Sequence, residues 1–252
     1  MLEGIETGYE EKYGFPHRPD RPRQLYVLAC APRSGSTFLS HLLWQTGCLG
    51  APLEYLNFLP TSPYFFASGD SAGQIALWRS ALHRRTSPNG VFGLKCFPAQ
   101  LRELQQTNPP LCLEVLKTMF PLDGSARAVR LKRRDRAAHA ISLARAFRSG
   151  IWRKEQEGAE GVRVAFSREA IDSALATIEH QEAEWDGLLG QTRAAQLTLW
   201  YEDLVEDPAR AVGAVAEFLN IVLDPAAVVE VPEVQRQSQE DPRHWAQMYQ
   251  AS

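Results

Sequence analysis

The stretch "LYVLACAPRSGSTFLSHLLWQTG", residues 25–47, decides the fold. The apolar run at its start predicts a buried strand over about 25–30, and a turn follows at 31–35. The apolar-periodic segment after the turn predicts a helix from about Ser36 to Gln45, closed by Gly47. A strand, a tight turn and a helix N-terminus together favour anion binding, because backbone N–H groups point out of the turn and the helix dipole adds about half a positive charge.

The side chains of the turn also suit a phosphate group. Gly35 lets the backbone curl closely around a phosphate, and Arg33 brings charge in a planar fork. Three hydroxyl groups add hydrogen-bond donors, from Ser34, Ser36 and Thr37. The interpretation left open beside this one is that Ser34 or Ser36 merely caps the helix.

The turn does not match the loop of nucleotide triphosphatases. That loop has the pattern G-x-x-x-x-G-K-[ST], in which the lysine reaches the terminal phosphates and the hydroxyl binds magnesium. Here Gly35 is followed directly by Ser36, and position 30 is Cys30 where the motif has glycine. The sequence therefore indicates a phosphate-binding turn that works without the P-loop lysine.

Composition and charge set limits on function. The chain has 252 residues, of which 44% are hydrophobic and 23% are charged, which is typical of one globular domain with a sizeable core. A formal net charge of −3 argues against binding to bulk nucleic acid or acidic membrane. We see neither an apolar run of transmembrane length nor a signal-peptide core, so a cytoplasmic protein is expected. Cys30 and Cys96 lie in strand-like runs and are expected to be buried, reduced thiols.

Strand-like and helix-like segments alternate along the chain. This pattern predicts an α/β fold with a central, mostly parallel sheet covered by helices on both faces. The predicted strands lie at about 25–30, 91–97, 126–134 and 195–204. The predicted helices lie at about 36–45, 71–84, 98–118, 136–156, 168–190 and 208–220. We expect a single domain over 1–252, with a polar lead-in segment at 1–24 and a loop-rich C-terminal segment at about 224–252.

Four further segments carry polar residues at positions where strands end or loops begin: "LGAPLEYLNF" (49–58), "VFGLKCF" (91–97), "RRDRAAHAIS" (133–142) and "VQRQSQEDPRHW" (234–245). Together with the turn, these segments resemble the PAPS-dependent sulfotransferases. The resemblance is strongest to the bacterial carbohydrate sulfotransferases of the Stf0 type, related to trehalose 2-sulfotransferase, and more distant to the nodulation-factor enzymes. It covers roughly residues 25–245.

The resemblance implies a three-layer, P-loop-like sulfotransferase fold. It also implies transfer of a sulfuryl group from PAPS (3′-phosphoadenosine 5′-phosphosulfate) to an acceptor hydroxyl, with PAP as the product and with no metal required. In the family, an R-S-G-S-T turn holds the 5′-phosphosulfate end of PAPS. The cofactor-binding residues that match this turn position for position are Arg33, Ser34, Gly35, Ser36 and Thr37.

The resemblance also assigns the 3′-phosphate. In the family, an arginine after the third strand and a serine on the next helix grip this dianion, and Arg133 and Ser142 match them nine positions apart. Arg236 matches an arginine of the C-terminal segment, which in sulfotransferases closes over the donor site. From the residues alone, the crowded cations at 132–136 are equally typical of a solvated, basic helix start.

Three residues are expected to take part in the chemistry. Glu54 matches the family glutamate that accepts the proton of the sugar hydroxyl, a role that suits in-line transfer through a loose transition state. Lys95 matches a lysine at a strand end, where its charge helps to neutralise the leaving group or orients the acceptor. Arg33 serves both in binding and in catalysis. We leave the roles of Arg145 and Arg148, and of Trp152, open.

The sequence departs from the trehalose-type pattern on the acceptor side. Those enzymes have Gly-Glu-Pro-x-Glu, whereas this chain has Ala51 in place of the first acidic residue. The region between Pro60 and Pro88 is also shorter. Trehalose specificity is therefore not carried over, although a carbohydrate or glycolipid acceptor is still expected. A homodimer is a possible assembly, as in the family.

Two other functions remain as alternatives to a sulfotransferase. A P-loop-type small-molecule kinase would require ATP and magnesium, and the missing Gly-Lys-[ST] argues against it. A non-catalytic PAP- or PAPS-binding module would keep the phosphate contacts but lose the base, and Glu54 is present.

Overall fold

The centre of the molecule is a four-stranded sheet in the order β2-β1-β3-β4, in which all neighbouring strands are parallel. The computed structural model describes residues 6–15, 21–60, 62–152, 156, 164–233 and 240–251. The strands are β1 (Gln24–Cys30), β2 (Val91–Cys96), β3 (Arg127–Lys132) and β4 (Ala195–Trp200). The expected parallel sheet is confirmed.

Helices cover both faces of this sheet, as expected for a three-layer α/β fold. In the described residues they are α1 (Ser36–Gln45), α2 (Ser71–Arg84), α3 (Pro98–Thr107), α4 (Pro109–Met119), α5 (Arg136–Ser149), α6 (Arg168–Gln191), α7 (Tyr201–Glu206), α8 (Pro208–Phe218) and α9 (Glu240–Ala251). The predicted helix at 98–118 is divided at Asn108, whose side chain accepts a hydrogen bond from the backbone of Leu111 and caps α4.

Successive side chains of β1 point to opposite faces of the sheet, and each face has its own hydrophobic core. Leu28 and its neighbours in alternate positions pack with residues of α1 and α8, such as Leu39 and Val215. Val27 and Ala29 point to the other face and join a larger core that includes Trp185 of α6. Both sides of the central strand are therefore buried, as is usual in parallel sheets.

The order of the strands determines where the candidate functional site lies. The chain passes from β1 to β2 on one side of the sheet, and β3 returns to the other side of β1. The carboxyl ends of β1 and β3 thus form a topological switch point, where open α/β sheets leave a crevice for ligands. The turn at 31–35 and Arg133 both lie at this edge of the sheet.

Several sequence predictions about element boundaries were wrong. The helix predicted at 136–156 ends at Ser149, where Gly150 follows with a φ of +71° in the left-handed region. The strand predicted to run to residue 204 ends at Trp200, and Tyr201 begins α7. Glu202 and Asp203 lie in the first turn of α7, where acidic side chains are favourable to the helix dipole. The third strand likewise ends at Lys132, before the arginines that were assigned to it.

The C-terminal segment was predicted to be loop-like, but it contains α9. Pro242 discouraged a helix prediction, yet proline is tolerated in a first helical turn, where its missing N–H has no partner to lose. The buried Trp245 joins a core cluster with residues of α5 and α6, and its ring meets Phe166 edge-on at 5.6 Å.

Two other expectations can be compared with the described residues. All four cysteines are free and buried, as predicted for Cys30 and Cys96. Burial raises the pKa of the Cys30 thiol to about 12. None of the described helices combines the length and the hydropathy that a membrane-spanning segment needs.

Candidate active site

The turn after β1 has an unusual backbone. Arg33 has a φ of +65°, and Gly35 has a φ of +92° and is the N-cap residue of α1. Because the capping position is a glycine, no side chain caps this helix, and the idea that Ser34 or Ser36 does so was wrong. The N–H groups of the first helical turn have no acceptor within the helix, so they remain donors for a ligand.

Ser34 lies within the turn and is 0% exposed. Apart from a weak interaction with the Cys30 thiol, its Oγ has no hydrogen-bond partner among the described residues. Buried hydroxyl groups in folded proteins are nearly always satisfied. The turn therefore offers a hydroxyl that fits an oxygen atom of a bound anion.

Arg33 connects the turn to α5 and the segment that follows it. Its Nε donates to Oγ of Ser142 at 3.2 Å, and its NH1 donates to the carbonyl oxygen of Trp152 at 2.7 Å. Ser142 was expected to act beside Arg133, nine positions before it, but the hydrogen bond described here joins it to Arg33. The two residues assigned to opposite ends of PAPS are thus in direct contact.

Arg133 follows β3 and reaches the same turn. Its NH1 donates to the carbonyl oxygen of Arg33 at 3.4 Å, and its Cζ lies 4.3 Å from the centre of the Tyr201 ring. Tyr201 also packs against the turn, since a Cβ atom on Gly35 would meet its ring. Tyr201 was not among the predicted site residues, because the strand predicted at 195–204 included it. The acidic pair after it was the available signal for a helix start.

Glu54 and Lys95 form a largely buried ion pair close to the turn. Lys95 is 3% exposed, and its Nζ lies 2.9 Å from Oε1 of Glu54 and donates to Oγ1 of Thr37 at 2.9 Å. The second carboxylate oxygen of Glu54 accepts hydrogen bonds from Asn57 at 2.9 Å and Gln100 at 3.0 Å. A buried ion pair is stable only when further hydrogen bonds satisfy its remaining atoms, as they do here.

The back of the turn is held by two buried aromatic side chains. Trp185 donates through Nε1 to the carbonyl oxygen of Cys30 at 3.0 Å, and His139 donates through Nε2 to the carbonyl oxygen of Pro32 at 2.8 Å. Burial, with a smaller contribution from nearby arginines, lowers the pKa of His139 to about 4, against the opposing effect of its hydrogen bond to Pro32. His139 is therefore a neutral imidazole at physiological pH, and the sequence pattern gave no sign of this role.

Two other candidates remain apart from this description. Arg148 is exposed near the end of α5, and Arg236 lies outside the described residues. No cluster of three or more potential metal ligands occurs in the parts of the chain that the structure describes. The aromatic residues that follow Glu54 in the chain differ in burial: Tyr55 and Tyr64 are buried, whereas Phe66 is 75% exposed.

The parallel sheet, the glycine turn at its switch point and the surrounding arginines define an α/β protein with a candidate anion-binding turn. The family model described as Stf0 sulphotransferase matches residues 25–252. The chain therefore belongs to the Stf0 sulphotransferase family, and the resemblance found in the sequence is confirmed.

Two trehalose 2-sulfotransferases agree with this assignment. The chain is 24% identical over 257 residues to the trehalose 2-sulfotransferase of Mycobacterium tuberculosis. The aligned region covers 90% of this chain and 94% of that protein. It is 26% identical over 266 residues to the trehalose 2-sulfotransferase of Mycolicibacterium smegmatis, covering 91% and 95%. Among solved structures, it is similar to a sulfotransferase from Alicyclobacillus acidocaldarius, with a TM-score of 0.49 and 15% identity over 91% of this chain and 92% of that one.

Proposed function

We propose that this protein transfers a sulfuryl group from PAPS to a hydroxyl group of a carbohydrate. One observation carries the proposal beyond family membership. Nζ of Lys95 contacts both Thr37, in the first turn of α1, and the carboxylate of Glu54. A candidate base and an anion-binding turn are thereby joined through one buried cation, which is the arrangement that transfer from a bound anion to an alcohol requires.

The described residues fit the proposed donor. The buried hydroxyl of Ser34 and the uncapped N-terminus of α1 suit the 5′-phosphosulfate end, together with Arg33 and the neighbouring residues Gly35, Ser36 and Thr37. Arg133 and Ser142 reach the turn from β3 and α5 and would hold the 3′-phosphate. In this proposal Arg236 belongs to the C-terminal segment that closes over the donor within a single domain.

The chain's own residues supply the positioning and the proton transfer. PAPS supplies the sulfuryl group when it is bound, with PAP as the leaving group. Glu54 accepts the proton of the acceptor hydroxyl. At the same time the oxygen atom of that hydroxyl forms a bond to sulfur, and the bond from sulfur to the phosphate oxygen of PAP breaks. Lys95 and Arg33 place positive charge where the phosphate of PAP gains negative charge.

The acceptor class follows from the relatives, which are named for trehalose. Ala51 is fully buried here and takes the place of the first acidic residue of the trehalose-type pattern. We therefore propose a carbohydrate hydroxyl as the acceptor, without assigning trehalose itself.

Calorimetric titration of PAP, beside ATP with magnesium, tests the donor. We expect PAP to bind without magnesium, and Arg133→Ala to weaken binding by at least about tenfold, because a charge-assisted contact to a phosphate is lost. Arg134→Ala is the matched control, since this adjacent arginine pairs with Asp203 at 2.6 Å instead. Binding of ATP with magnesium but not of PAP would overturn the proposal in favour of a kinase.

Transfer of labelled sulfate from PAPS to trehalose and a panel of other sugars tests the reaction. Glu54→Gln should lose most turnover, because an amide accepts no proton at neutral pH, while PAP still binds. Full turnover in Glu54→Gln would show that the base is another residue. PAP binding without transfer to any sugar in the wild type would identify a non-catalytic binding module.

A further inference from the structure

We propose that the N-terminal segment 6–15 completes the active site, and that the hydroxyl of Tyr9 is a positioning group for Glu54. This inference rests on the proposed function, in which Glu54 is the base. The segment precedes residue 25, where the match to the family begins. From the sequence, these residues were predicted to be part of a polar lead-in segment at 1–24.

The contact concerns a single peptide group, the one between Leu53 and Glu54. Its carbonyl oxygen accepts a hydrogen bond from the backbone N–H of Lys95 in β2 at 3.1 Å. Its N–H group, which belongs to Glu54, donates to the hydroxyl oxygen of Tyr9 at 2.8 Å. Since a peptide group is planar, these two bonds on opposite sides fix its orientation, and with it the Cα atom from which the Glu54 side chain extends.

The ring of Tyr9 is itself held by two aromatic neighbours. It meets the ring of Tyr55 edge-on at 6.0 Å and the ring of Tyr64 edge-on at 5.1 Å. Both neighbours are buried residues of the core. Edge-to-face contacts of this kind fix the plane of a ring, so the hydroxyl of Tyr9 occupies a defined place beside the loop.

Hydrogen bonds to Arg84 and Arg85 also anchor the segment that carries Tyr9. Arg85 is buried, and its guanidinium donates to the carbonyl oxygens of Tyr13 at 2.8 Å and Glu10 at 3.0 Å. The backbone N–H of Phe15 donates to the carbonyl oxygen of Arg84 at 2.8 Å, and its side chain is buried in the core. The segment is therefore built into the fold, which a positioning role requires.

The two ends of Glu54 thus have separate supports. Lys95, Asn57 and Gln100 hold the carboxylate, whereas Tyr9 holds the backbone from which it projects. A base must lie within hydrogen-bond reach of the proton that it removes, and a misplacement of about 1 Å costs on the order of a hundredfold in rate. Loss of the Tyr9 hydroxyl is therefore expected to lower turnover without weakening the donor site.

The test compares Tyr9→Phe with Tyr13→Phe. Both variants keep the ring and remove one hydroxyl from the same segment, but the hydroxyl of Tyr13 donates to Glu6 at 2.9 Å on the protein surface. Tyr9→Phe should lower kcat for sulfate transfer by about tenfold and leave the Kd for PAP within about twofold. Amide exchange at Glu54 should become faster in Tyr9→Phe. Tyr13→Phe should change neither quantity.

Glu54→Gln, measured in the same assay, separates two kinds of failure. If Glu54→Gln is inactive while kcat of Tyr9→Phe equals that of the wild type, the positioning role is wrong and the proposed base stands. If Glu54→Gln keeps full turnover, the base assignment fails and the role of Tyr9 fails with it. An equal loss of kcat in Tyr9→Phe and Tyr13→Phe would show that the segment contributes only to stability.

Discussion

A Cβ atom added to Gly35 would lie 2.4 Å from Cδ2 of Tyr201. Tyr201 begins α7, and its ring also faces the guanidinium of Arg133. The aromatic ring thus packs against the backbone of the candidate anion-binding turn and against the arginine that follows β3. This contact joins the carboxyl ends of β1, β3 and β4 into one site, and only glycine leaves room for it.

Gly35→Ala should therefore disrupt the turn in two ways. A residue with a side chain at a φ of +92° is strained by roughly 1–2 kcal/mol, and the new methyl group also displaces Tyr201. Gly69→Ala is the matched control, because Gly69 has a φ of +80° with nothing within 4 Å of the added atom. Urea denaturation should show a loss of stability in both variants, whereas PAP titration should show weaker binding only in Gly35→Ala. Unchanged PAP binding in Gly35→Ala would contradict this prediction.

Lys95→Met should be strongly destabilising. The substitution leaves the carboxylate of Glu54 largely buried without its counter-charge, and removal of one partner from a buried pair typically costs about 3–5 kcal/mol. The additional substitution Glu54→Gln should restore part of this loss, because no uncompensated charge then remains. Chemical denaturation of both variants and of the double variant measures the coupling between the two residues.

The exposed pair of Arg79 and Glu114, 2.7 Å apart, provides the control for that experiment. Arg79→Ala should change stability little, because water screens a pair on the surface. A Lys95→Met variant as stable as Arg79→Ala would show that the charge of Glu54 is not buried enough to matter.

The sequence predicted the local features of the fold well. The turn and α1 were predicted to the residue, because a strand, a glycine turn and a helical apolar pattern give three consistent local signals. The boundary between β4 and α7 was missed, because apolar and aromatic residues continue across it. In this case the acidic residues after Tyr201 were a better guide than hydrophobicity.

Contacts between distant parts of the chain were beyond sequence reasoning. The family resemblance implied that Arg133 and Ser142 act together, but the hydrogen bond of Ser142 joins it to Arg33, 109 positions away. The contact of Tyr9 with Glu54 spans 45 positions and leaves no periodic trace in the sequence. Such pairs depend on how loops pack at the edge of the sheet, which no local propensity encodes.

The thiols at the site should be unreactive in the folded protein. Burial raises the pKa of Cys30 to about 12 and raises that of Cys96 as well, so almost no thiolate is present at neutral pH. A thiol reagent such as a mixed aromatic disulfide should therefore modify Cys30 and Cys96 only after denaturation. Mass mapping of the modified cysteines measures this, and rapid labelling of Cys30 in the native protein would contradict the prediction.

The stability of the protein should fall at mildly acidic pH because of His139. Burial lowers its pKa in the folded state to about 4, below the value of 6.5 for an unperturbed histidine. Between these pH values the unfolded chain binds more protons than the folded protein does. The contribution of neutral His139 to stability is therefore complete above about pH 6.5 and is lost as the pH falls toward about 4. The total effect on the free energy of unfolding is about 3 kcal/mol.

His139→Gln keeps a donor for the carbonyl oxygen of Pro32 but cannot titrate, so the free energy of unfolding of this variant should depend less on pH in this range. Denaturant unfolding at a series of pH values, with the exposed His180→Gln as control, measures the difference, and equal slopes for the wild type and His139→Gln would show that His139 does not drive it.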